Sequence, residues 1–460
     1  MTIAAALAFV SVAHAATVFQ ITGGGYGHGV GMSQYGAYGY ALQGKDYRFI
    51  LGHYFQGTSL SRVYPNRTVR VLIATGAASF SGASRGSAPA GAAKQLSPNA
   101  TYSVRVQPNG SLELYAPGGK KLANFSSPLS VSGPGPLELA GHGSYRGAFE
   151  FRPVGNAVQT VNAVGLDDYV RGVVAAEMPS SWVPAALETQ AVAARTYAIT
   201  TNVAGNGYQL YPDTRSQVYG GVGAETAATN AAVAATSGRV VTYAGAPVAT
   251  YFFSSSGGHT ENIENVFLGA APEPWLRGVP DPYDGAAGNP YYRWSYDMTL
   301  ASAASKLGSL VKGKLRGIRV TRRGVSPRVV TAQVVGTRGK TAVTGPQLEQ
   351  VFSLPSTYMR FTTISTATAP KPAIPPAILD HLRSAAVEAA LRAATQTLTG
   401  EVFPAAKGSV VAVQRHTATG WRTLRRVRVD AGGSYAVPIG AAGRYRVIYA
   451  GVAGPAVTLG

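Results

Sequence analysis

Short runs of alternating apolar and polar residues, separated by clusters of Gly, Ser and Pro, most strongly constrain the fold of this chain. Within residues 79–161 such runs include Tyr102–Val106 and Leu112–Tyr115, joined through a Pro-Asn-Gly turn that is typical of a β-hairpin. Further alternating runs follow near the C-terminus, at residues 410–415, 421–429, 434–439, 444–449 and 457–459. Even spacing of short strands predicts a small β-sandwich-like module there.

Two alanine-rich stretches have a helical periodicity instead. One begins near Pro184, a residue suited to the first turn of a helix, and runs to about residue 203, and the other covers residues 224–237. Residues of a packing face recur at helical spacing along the first stretch: Leu187, Ala191, Ala194 and Ala198. The sequence therefore predicts an α+β fold. Its body mixes helices with antiparallel sheet, carries a β-rich insertion at about residues 79–161, and is followed by the small C-terminal β-sandwich-like module.

The order of these regions predicts the domain boundaries. Residues 1–15 form an apolar run that closes on a small-residue pattern typical of a signal peptide, although no basic residue precedes Lys45, and a buried core segment is the alternative. Residues 16–365 form the main domain, and the Pro-rich residues 366–376 form a semi-rigid linker. A helix and the small module make up residues 377–460. No other stretch reaches the roughly 18 apolar residues of a membrane span, so we expect an exported protein that does not span the membrane.

Composition limits the chemistry and the partners. The 40 Lys and Arg against 21 Asp and Glu give a formal charge of +19, which favours anionic partners. The basic residues are scattered and no nucleic-acid-binding motif occurs, so nucleic acid is not the expected partner. The absence of cysteine excludes disulfides, thiolate nucleophiles and Cys-ligated metals. Because His28, His53 and His259 follow no ligand spacing, neither a metal nor another cofactor is expected.

Residues 27–37 form the first of three polar, glycine-bounded segments. Glycines on both sides of His28 allow the backbone to approach a ligand closely, and Ser33 and Gln34 offer hydrogen bonds at a helix start. A tight turn in which His28 has a structural role fits the same pattern.

The second segment, residues 166–179, ends a strongly apolar run with Glu177, close to Pro179. A carboxyl group at such a place is desolvated, which raises its pKa and makes it a candidate general acid near neutral pH. A structural ion pair with Arg195 is the alternative. Arg195 and Gln190, both on the following helix, are equally candidates for positioning a substrate.

In the third segment, residues 251–262, a strand runs into a Ser/Gly turn followed by His259, Glu261 and Asn262. These short donors and acceptors suit a hydroxyl-rich ligand, and a polar surface turn is the alternative. A Ser-His-Asp triad is not indicated, because no Gly-x-Ser-x-Gly elbow occurs between a strand and a helix.

Taken together, these segments resemble the stage II sporulation protein D family, also called the SpoIID/LytB or amidase-enhancer family. The resemblance extends over about residues 17–365. It rests on the following ordered motifs: residues 27–37, 53–58, 168–170, 177–179, 190–197, 216–221 and 255–262.

The resemblance implies a periplasmic or cell-wall protein that cleaves peptide-stripped glycan strands of peptidoglycan as a lytic transglycosylase. It places the catalytic acid on Glu177, and Glu261 is our second candidate for the acid. The residues expected to bind or orient the sugar are His28, Gln34, Gln190, Arg195, Tyr197, Ser256, Glu261 and Asn262. Some members carry a zinc site with Cys ligands, which this cysteine-free chain lacks.

A second function from another class is a non-catalytic, wall-binding enhancer of an amidase autolysin. The expected partners are therefore peptidoglycan glycan strands, an amidase autolysin and anionic wall polymers such as teichoic acids.

Overall fold

The computed structural model describes residues 16–369 and 396–459, apart from residues 66, 90, 92 and 287. The predicted signal peptide, most of the predicted linker and the predicted helix at residues 378–395 lie outside the described residues. The described chain divides into two compact units, a central unit, Tyr26–Tyr292, and a terminal unit that combines the described residues up to Gly25 with those from Arg293 onward. This division differs from the predicted one, because the strand Ala16–Gly23 pairs with strands more than 270 residues later in the chain.

Eight α-helices occur in the described residues, α1 to α6 in the central unit and α7 and α8 in the terminal unit. In chain order they are α1 Gln34–Leu42, α2 Tyr47–Tyr54, α3 Leu166–Glu177, α4 Pro184–Thr200, α5 Ala227–Ala235, α6 Ile263–Val266, α7 Leu300–Leu307 and α8 Gly345–Phe352. As predicted, α4 begins at Pro184, and α5 lies within the second alanine-rich stretch. No helix in residues 16–369 and 396–459 is long and apolar enough to cross a bilayer.

Two six-stranded antiparallel sheets form the predicted β-rich region and extend it on both sides, from Thr68 to Gly165. The first contains, in spatial order, Lys121–Phe125, Leu112–Tyr115, Tyr102–Val106, Ala78–Ser81, Leu137–Leu139 and Gly143–Tyr145. The second contains Thr68–Gly76, Ala157–Gly165, Ala148–Val154, Leu129–Ser132, Arg85–Ser87 and Ala93–Gln95.

Two small sheets complete the central unit. One joins Ala246–Pro247, Arg239–Tyr243 and Ser59–Arg62, and the other is a parallel pair, Met32–Ser33 with Phe252–Phe253. This parallel pair brings the first glycine-bounded segment beside the third.

The central core forms where the strand Ala157–Gly165 leads directly into α3. The buried side of α3, including Tyr169, Val170 and Val173, belongs to the same apolar cluster as α4. Ala191, Ala194 and Ala198 are fully buried on α4, which confirms the predicted packing face. The small side chains of α4 allow close helix packing, so the end of α3 and the start of α4 are held firmly.

The terminal unit is built on a five-stranded antiparallel sheet. Its strands are, in spatial order, Trp294–Thr299, Ala16–Gly23, Met359–Ala369, Gln396–Phe403 and Ser434–Ile439. A three-stranded sheet, Leu315–Arg323, Val329–Gly336 and Gly339–Thr344, shares a second core with α7 and α8. A further sheet contains Gly420–Arg428, Val410–Thr417, Gly443–Tyr449, Val452–Ala453 and Val457–Leu459.

The five alternating runs predicted near the C-terminus are all strands. The strand Gln396–Phe403 is among those that were not predicted, and it pairs with Met359–Ala369 so that Ile364 lies opposite Val402. Met359–Ala369 continues four residues into the segment predicted as a linker. Ile364 then joins the apolar cluster of the C-terminal strands, so this cluster draws on residues from both sides of the undescribed segment. The observed architecture is the α+β class that the sequence predicts.

Candidate active site

A cavity of about 660 Å³ opens in the central unit where the three motif segments meet. Its wall is largely aromatic, and Glu177 is the carboxylate among its lining residues. These residues, all described, are Tyr26, Gly27, His28, Gln34, Glu177, Tyr197, Thr214, Arg215, Ser216, Tyr251, Phe252, Phe253, Ser254 and Phe267. A mostly apolar concave site with a few convergent polar groups is typical of a ligand-binding cavity.

Glu177 is the last residue of α3. The Met178 N–H still bonds to the Val174 carbonyl, but the Met178 backbone is extended, as expected for a residue before a proline. Pro179 thus ends the helix at the residue that carries the acid. The free carbonyl groups of a helix C-terminus disfavour a nearby negative charge, so this position favours the protonated carboxyl group.

Burial raises the pKa of Glu177 above its ordinary value, and two hydrogen bonds oppose this shift. The Val218 backbone N–H donates to Oε1 at 2.8 Å, and Gln34 Nε2 donates to Oε2 at 3.3 Å. Because burial outweighs these donors, the site favours a protonated acid at a higher pH than a free glutamate allows. The ion pair with Arg195 that was the alternative for Glu177 is not formed.

Gln34 reaches Glu177 because it is the first residue of α1. Ser33 caps this helix, and its Oγ accepts a hydrogen bond from the Gly36 N–H at 3.2 Å. The Ser33 hydroxyl in turn donates to Asp284 Oδ1 at 2.7 Å, which fixes the start of the helix. Gln34 Nε2 also lies 3.3 Å from the Glu177 carbonyl oxygen, so it contacts both the side chain and the backbone of the acid.

His28 lies in the cavity wall with both ring nitrogens in hydrogen-bonding contact with the backbone. Nδ1 accepts from the Val30 N–H at 3.1 Å, so Nε2 carries the proton and donates to the Phe252 carbonyl, also at 3.1 Å. The imidazole packs against the rings of Phe253 and Phe267, with centroids 5.3 Å and 5.6 Å away. These contacts fit the alternative of a structural histidine, and the residue also lines the cavity.

Two buried carboxyl groups, Asp281 and Asp284, bind residues that flank the cavity lining. Both are fully buried. The Ser256 hydroxyl donates to Asp281 Oδ2 at 2.8 Å, and the Ser256 N–H donates to Asp284 Oδ1 at 3.1 Å, so Ser256 bridges the two. Tyr54 donates to Asp281 Oδ1 at 2.9 Å. Burial, together with the neighbouring Asp284 charge, raises the pKa of Asp281 to about 7.

We expect Asp281 to make the folded protein less stable as the pH rises from about 4 to about 7. Its carboxyl group keeps its proton to about pH 7 in the folded chain, whereas in the unfolded chain it loses the proton near pH 4. Folding therefore binds a proton in this interval, and stability falls by up to about 1.4 kcal/mol per pH unit. Urea unfolding at several pH values measures this slope. Asp281→Asn should flatten it, and an unchanged slope in that variant would refute the assignment.

Two other residues predicted to bind substrate, Arg195 and Gln190, are fully buried on α4 and do not line the cavity. The Arg195 Nε donates to Asp167 Oδ1 at 2.5 Å, and its other nitrogens bond to the backbone carbonyls of Ala191, Arg239 and Val233. Arg195 therefore joins α4 to the start of α3 and to the region of α5. The Gln190 amide has no hydrogen-bond partner within the described residues.

Ser256, Glu261 and Asn262 also lie outside the cavity lining. Glu261 is fully buried, and its Oε1 accepts from the Asn262 N–H and from Asn265 Nδ2, each at 2.9 Å. Asn262 Oδ1 accepts from the Gly278 N–H at 2.8 Å. These side chains shape the turn behind the aromatic wall, whereas His28, Gln34 and Tyr197 line the cavity together with Glu177.

Several lining residues were not singled out from the sequence. Val218 donates to Glu177 through its backbone, and Arg215 and Ser216 lie just before it in the cavity wall. The Ser-Gln-Val-Tyr-Gly-Gly motif at residues 216–221 was the available signal. The aromatic run at residues 251–253 was noted only as a strand, although all three of its rings line the cavity.

Comparison with known proteins matches the region that carries Glu177. Residues 154–243 match the family model for SpoIID, stage II sporulation protein. The chain is 34% identical over 197 residues to stage II sporulation protein D of Bacillus subtilis and 33% identical over 200 residues to that of Bacillus amyloliquefaciens. Each of these matches covers 39% of this chain and 56% of the relative.

A third relative carries the other name of the family. The chain is 41% identical over 103 residues to the amidase enhancer of Bacillus subtilis, a match that covers 22% of this chain and 14% of that protein. Over part of its length the chain is therefore similar to proteins of the SpoIID family. It spans about half the length of the sporulation relatives that it matches.

Proposed function

We propose that this protein is an exported lytic transglycosylase that cleaves peptide-stripped glycan strands of peptidoglycan. The observation that carries the proposal is the Glu177 carboxyl group. It lies in the wall of an aromatic cavity, its pKa is raised by burial, and two donors hold it in place. The names of the family relatives, sporulation protein and amidase enhancer, support a role at the cell wall.

One carboxylic acid is sufficient for this reaction. Protonated Glu177 donates its proton to the glycosidic oxygen while the bond from that oxygen to the muramic C1 breaks. The Glu177 carboxylate then accepts the proton of the muramic C6 hydroxyl as its oxygen bonds to C1. The 1,6-anhydro ring closes, no water is consumed, and Glu177 regains its proton. Because the nucleophile belongs to the substrate, the second carboxylate that hydrolases use is not required.

The wall of the cavity suits a sugar chain. Apolar faces of pyranose rings pack against aromatic side chains, and the lining provides Tyr197, Tyr251, Phe252 and others for this contact. Tyr26 is 47% exposed and stacks on Tyr291 with a centroid distance of 4.7 Å, which extends the aromatic surface toward the solvent. Gln34 and His28 would orient the sugar, and the buried Ser256 and Glu261, together with the half-buried Asn262, would keep the wall in shape.

The decisive experiment uses the purified chain and peptide-stripped glycan strands. Mass spectrometry should find products that end in 1,6-anhydromuramic acid, with a mass one water lower than hydrolysis products. Products with a free reducing end would indicate a hydrolase instead. If strands bind but no product of either kind forms, the enzymatic proposal is wrong.

A second candidate function is a wall-binding enhancer of an amidase, favoured by the similarity to the amidase enhancer. In that case the cavity binds glycan without cleaving it, and the chain raises the activity of an added amidase autolysin on whole sacculi. Glu177→Gln should leave this stimulation unchanged. Two observations therefore distinguish the two functions: whether anhydro products form, and whether Glu177→Gln abolishes the effect of the chain.

We expect Gln34→Leu to shift the pH profile of cleavage toward higher pH. The Gln34 amide stabilises the charged form of Glu177, so its loss raises the pKa of the acid further. A general acid works in its protonated form, and the alkaline limb of the kcat/KM profile therefore moves upward. Gln43→Leu, an exposed change at the other end of α1, is the matched control and should leave the profile unchanged. A downward shift in Gln34→Leu would contradict the proposed contact.

A further inference from the structure

A second cavity, of about 580 Å³, lies wholly within the terminal unit. It forms at the ends of three adjacent strands of the five-stranded sheet. Ala16–Gly23 ends there, and Trp294–Thr299 and Met359–Ala369 begin there. We call it the arginine groove. Its lining residues are Thr22, Gly23, Arg293, Trp294, Ser295, Tyr358 and Arg360.

The groove is strongly basic. Arg293 and Arg360 line it, and Arg323 lies close enough that the Arg360 charge lowers the pKa of Arg323, after the larger effect of burial. Arg323 donates to the backbone carbonyls of Met359 and Pro327, so it is fixed beside Arg360. Neither Arg323 nor Arg360 forms a salt bridge with another described residue.

Acidic groups are absent from the lining of the groove. Asp297 is on the same face of the sheet, two residues beyond Ser295, and its Oδ1 accepts a hydrogen bond from Gln20 at 2.6 Å. The repulsion between the neighbouring guanidinium groups is therefore not relieved by a lining residue. A bound anion would relieve it, and guanidinium groups bind carboxylate and phosphate oxygens with two parallel hydrogen bonds.

The rest of the wall is aromatic and hydroxyl-bearing. The Trp294 indole lies across Gly23, where a Cβ would come within 2.3 Å of the ring, and its Nε1 donates to the Gly25 carbonyl at 2.9 Å. The ring is therefore fixed in place, and only glycine fits beneath it. In the sheet register, Thr22 pairs with Ser295 on one side and with Arg360 on the other, which places two hydroxyl groups in a row with a guanidinium group on one face of the sheet. Trp294 pairs with Gly23 and therefore belongs to the opposite face, whereas the Tyr358 ring lies under the Arg293 guanidinium group.

We propose that the arginine groove binds an anionic carbohydrate chain, with its acidic group on the guanidinium groups and its sugar or polyol part against Tyr358 and the two hydroxyls. The acidic group is either a phosphodiester, as in a teichoic acid, or a carboxylate, as in muramic acid. The groove shares no lining residue with the cavity of Glu177, and the proposal does not depend on the proposed catalytic function. It would retain the protein on an anionic wall.

The test measures binding by the full chain with Glu177→Gln introduced, so that no strand is cleaved. The probes are poly(glycerol phosphate), peptide-stripped glycan strands and neutral chitohexaose, and isothermal titration calorimetry gives the Kd. Arg360→Gln should weaken binding of one anionic probe by roughly tenfold, as expected for loss of a charged hydrogen bond. Binding of chitohexaose should not change. The probe that loses affinity identifies the acidic group as phosphodiester or carboxylate.

The matched control is Arg422→Gln, which removes the same charge from an exposed position on the strand Gly420–Arg428, outside the groove. It should leave both anionic affinities within about twofold, an effect typical of a surface charge. Two results would overturn the proposal. One is an equal loss in both variants, which would show a general effect of net charge, and the other is no loss of either anionic probe in Arg360→Gln.

Discussion

Glu177→Gln should lower the rate of glycan cleavage by about 10²–10⁴-fold, the contribution expected of a general acid. Glutamine has nearly the shape of a protonated glutamate, but it provides no proton to the leaving oxygen and accepts none from the C6 hydroxyl. Its carbonyl oxygen still accepts the bond from Val218. We therefore expect the loss in kcat, measured from the rate at which anhydro ends appear, while the affinity for glycan strands stays close to that of the wild type.

Glu188→Gln is the matched control for this substitution. Glu188 is a half-buried glutamate on α4 whose pKa is also raised by burial, and it does not line the cavity. It should cleave at the rate of the wild type. Thermal unfolding of both variants must match the wild type before the rates are compared. If Glu177→Gln cleaves normally and Glu261→Gln does not, the acid has been assigned to the wrong residue.

Arg195→Met should destabilise the chain by about 3–5 kcal/mol, the usual cost of breaking a buried ion pair. Arg195 is fully buried, and the side chain of its partner Asp167 is 14% exposed. The substitution leaves Asp167 without its cation and removes the donors to the carbonyl groups of Arg239 and Val233. Urea unfolding followed by far-ultraviolet circular dichroism measures the loss.

Arg171→Met provides the comparison on the same helix pair. Arg171 and Asp168 form an i,i+3 pair with side chains 31% and 42% exposed, so their loss should cost no more than about 1 kcal/mol. Asp167→Asn combined with Arg195→Met should recover part of the stability, since the uncompensated charge is then gone. At a temperature where it stays folded, Arg195→Lys should retain the KM of the wild type. A raised KM with unchanged stability would return Arg195 to its predicted role as a substrate-binding residue.

The α+β fold was predictable because its signals are local. Alternation and turn residues mark the strands at residues 79–161 and 410–459, and alanine periodicity with Pro184 marks α4. The strand Gln396–Phe403 has no comparable signal, because its partner Met359–Ala369 precedes it by a long segment and the pairing depends on the tertiary structure. The pairing of Ala16–Gly23 with strands that begin at residues 294 and 359 was not predictable either, because the paired strands are far apart in sequence.

The candidate acid was predictable from its place at the end of an apolar run, because desolvation follows from the surrounding residue types. The sequence did not predict which polar motif residues line the cavity and which are buried beside it. Arg195 and Ser256 are polar residues within motifs, and nothing in their spacing reveals that they donate hydrogen bonds to Asp167 and Asp281. Asp281 and Asp284 lie outside the three glycine-bounded segments, although paired acids stand out in a chain with few acidic residues.

The two donors to Glu177 respond differently to mutation. Val218 donates through its backbone, and the neighbouring side chains of Gln217 and Tyr219 hold that backbone by bonds to Tyr169 and Asn162. Every residue except proline supplies the same N–H at position 218. The Gln34 donor, in contrast, is lost with a single side chain. In related chains, substitutions at position 218 should therefore leave the pKa of the glutamate unchanged. A single substitution at position 34 should change that pKa, and could so adapt the protein to a different pH.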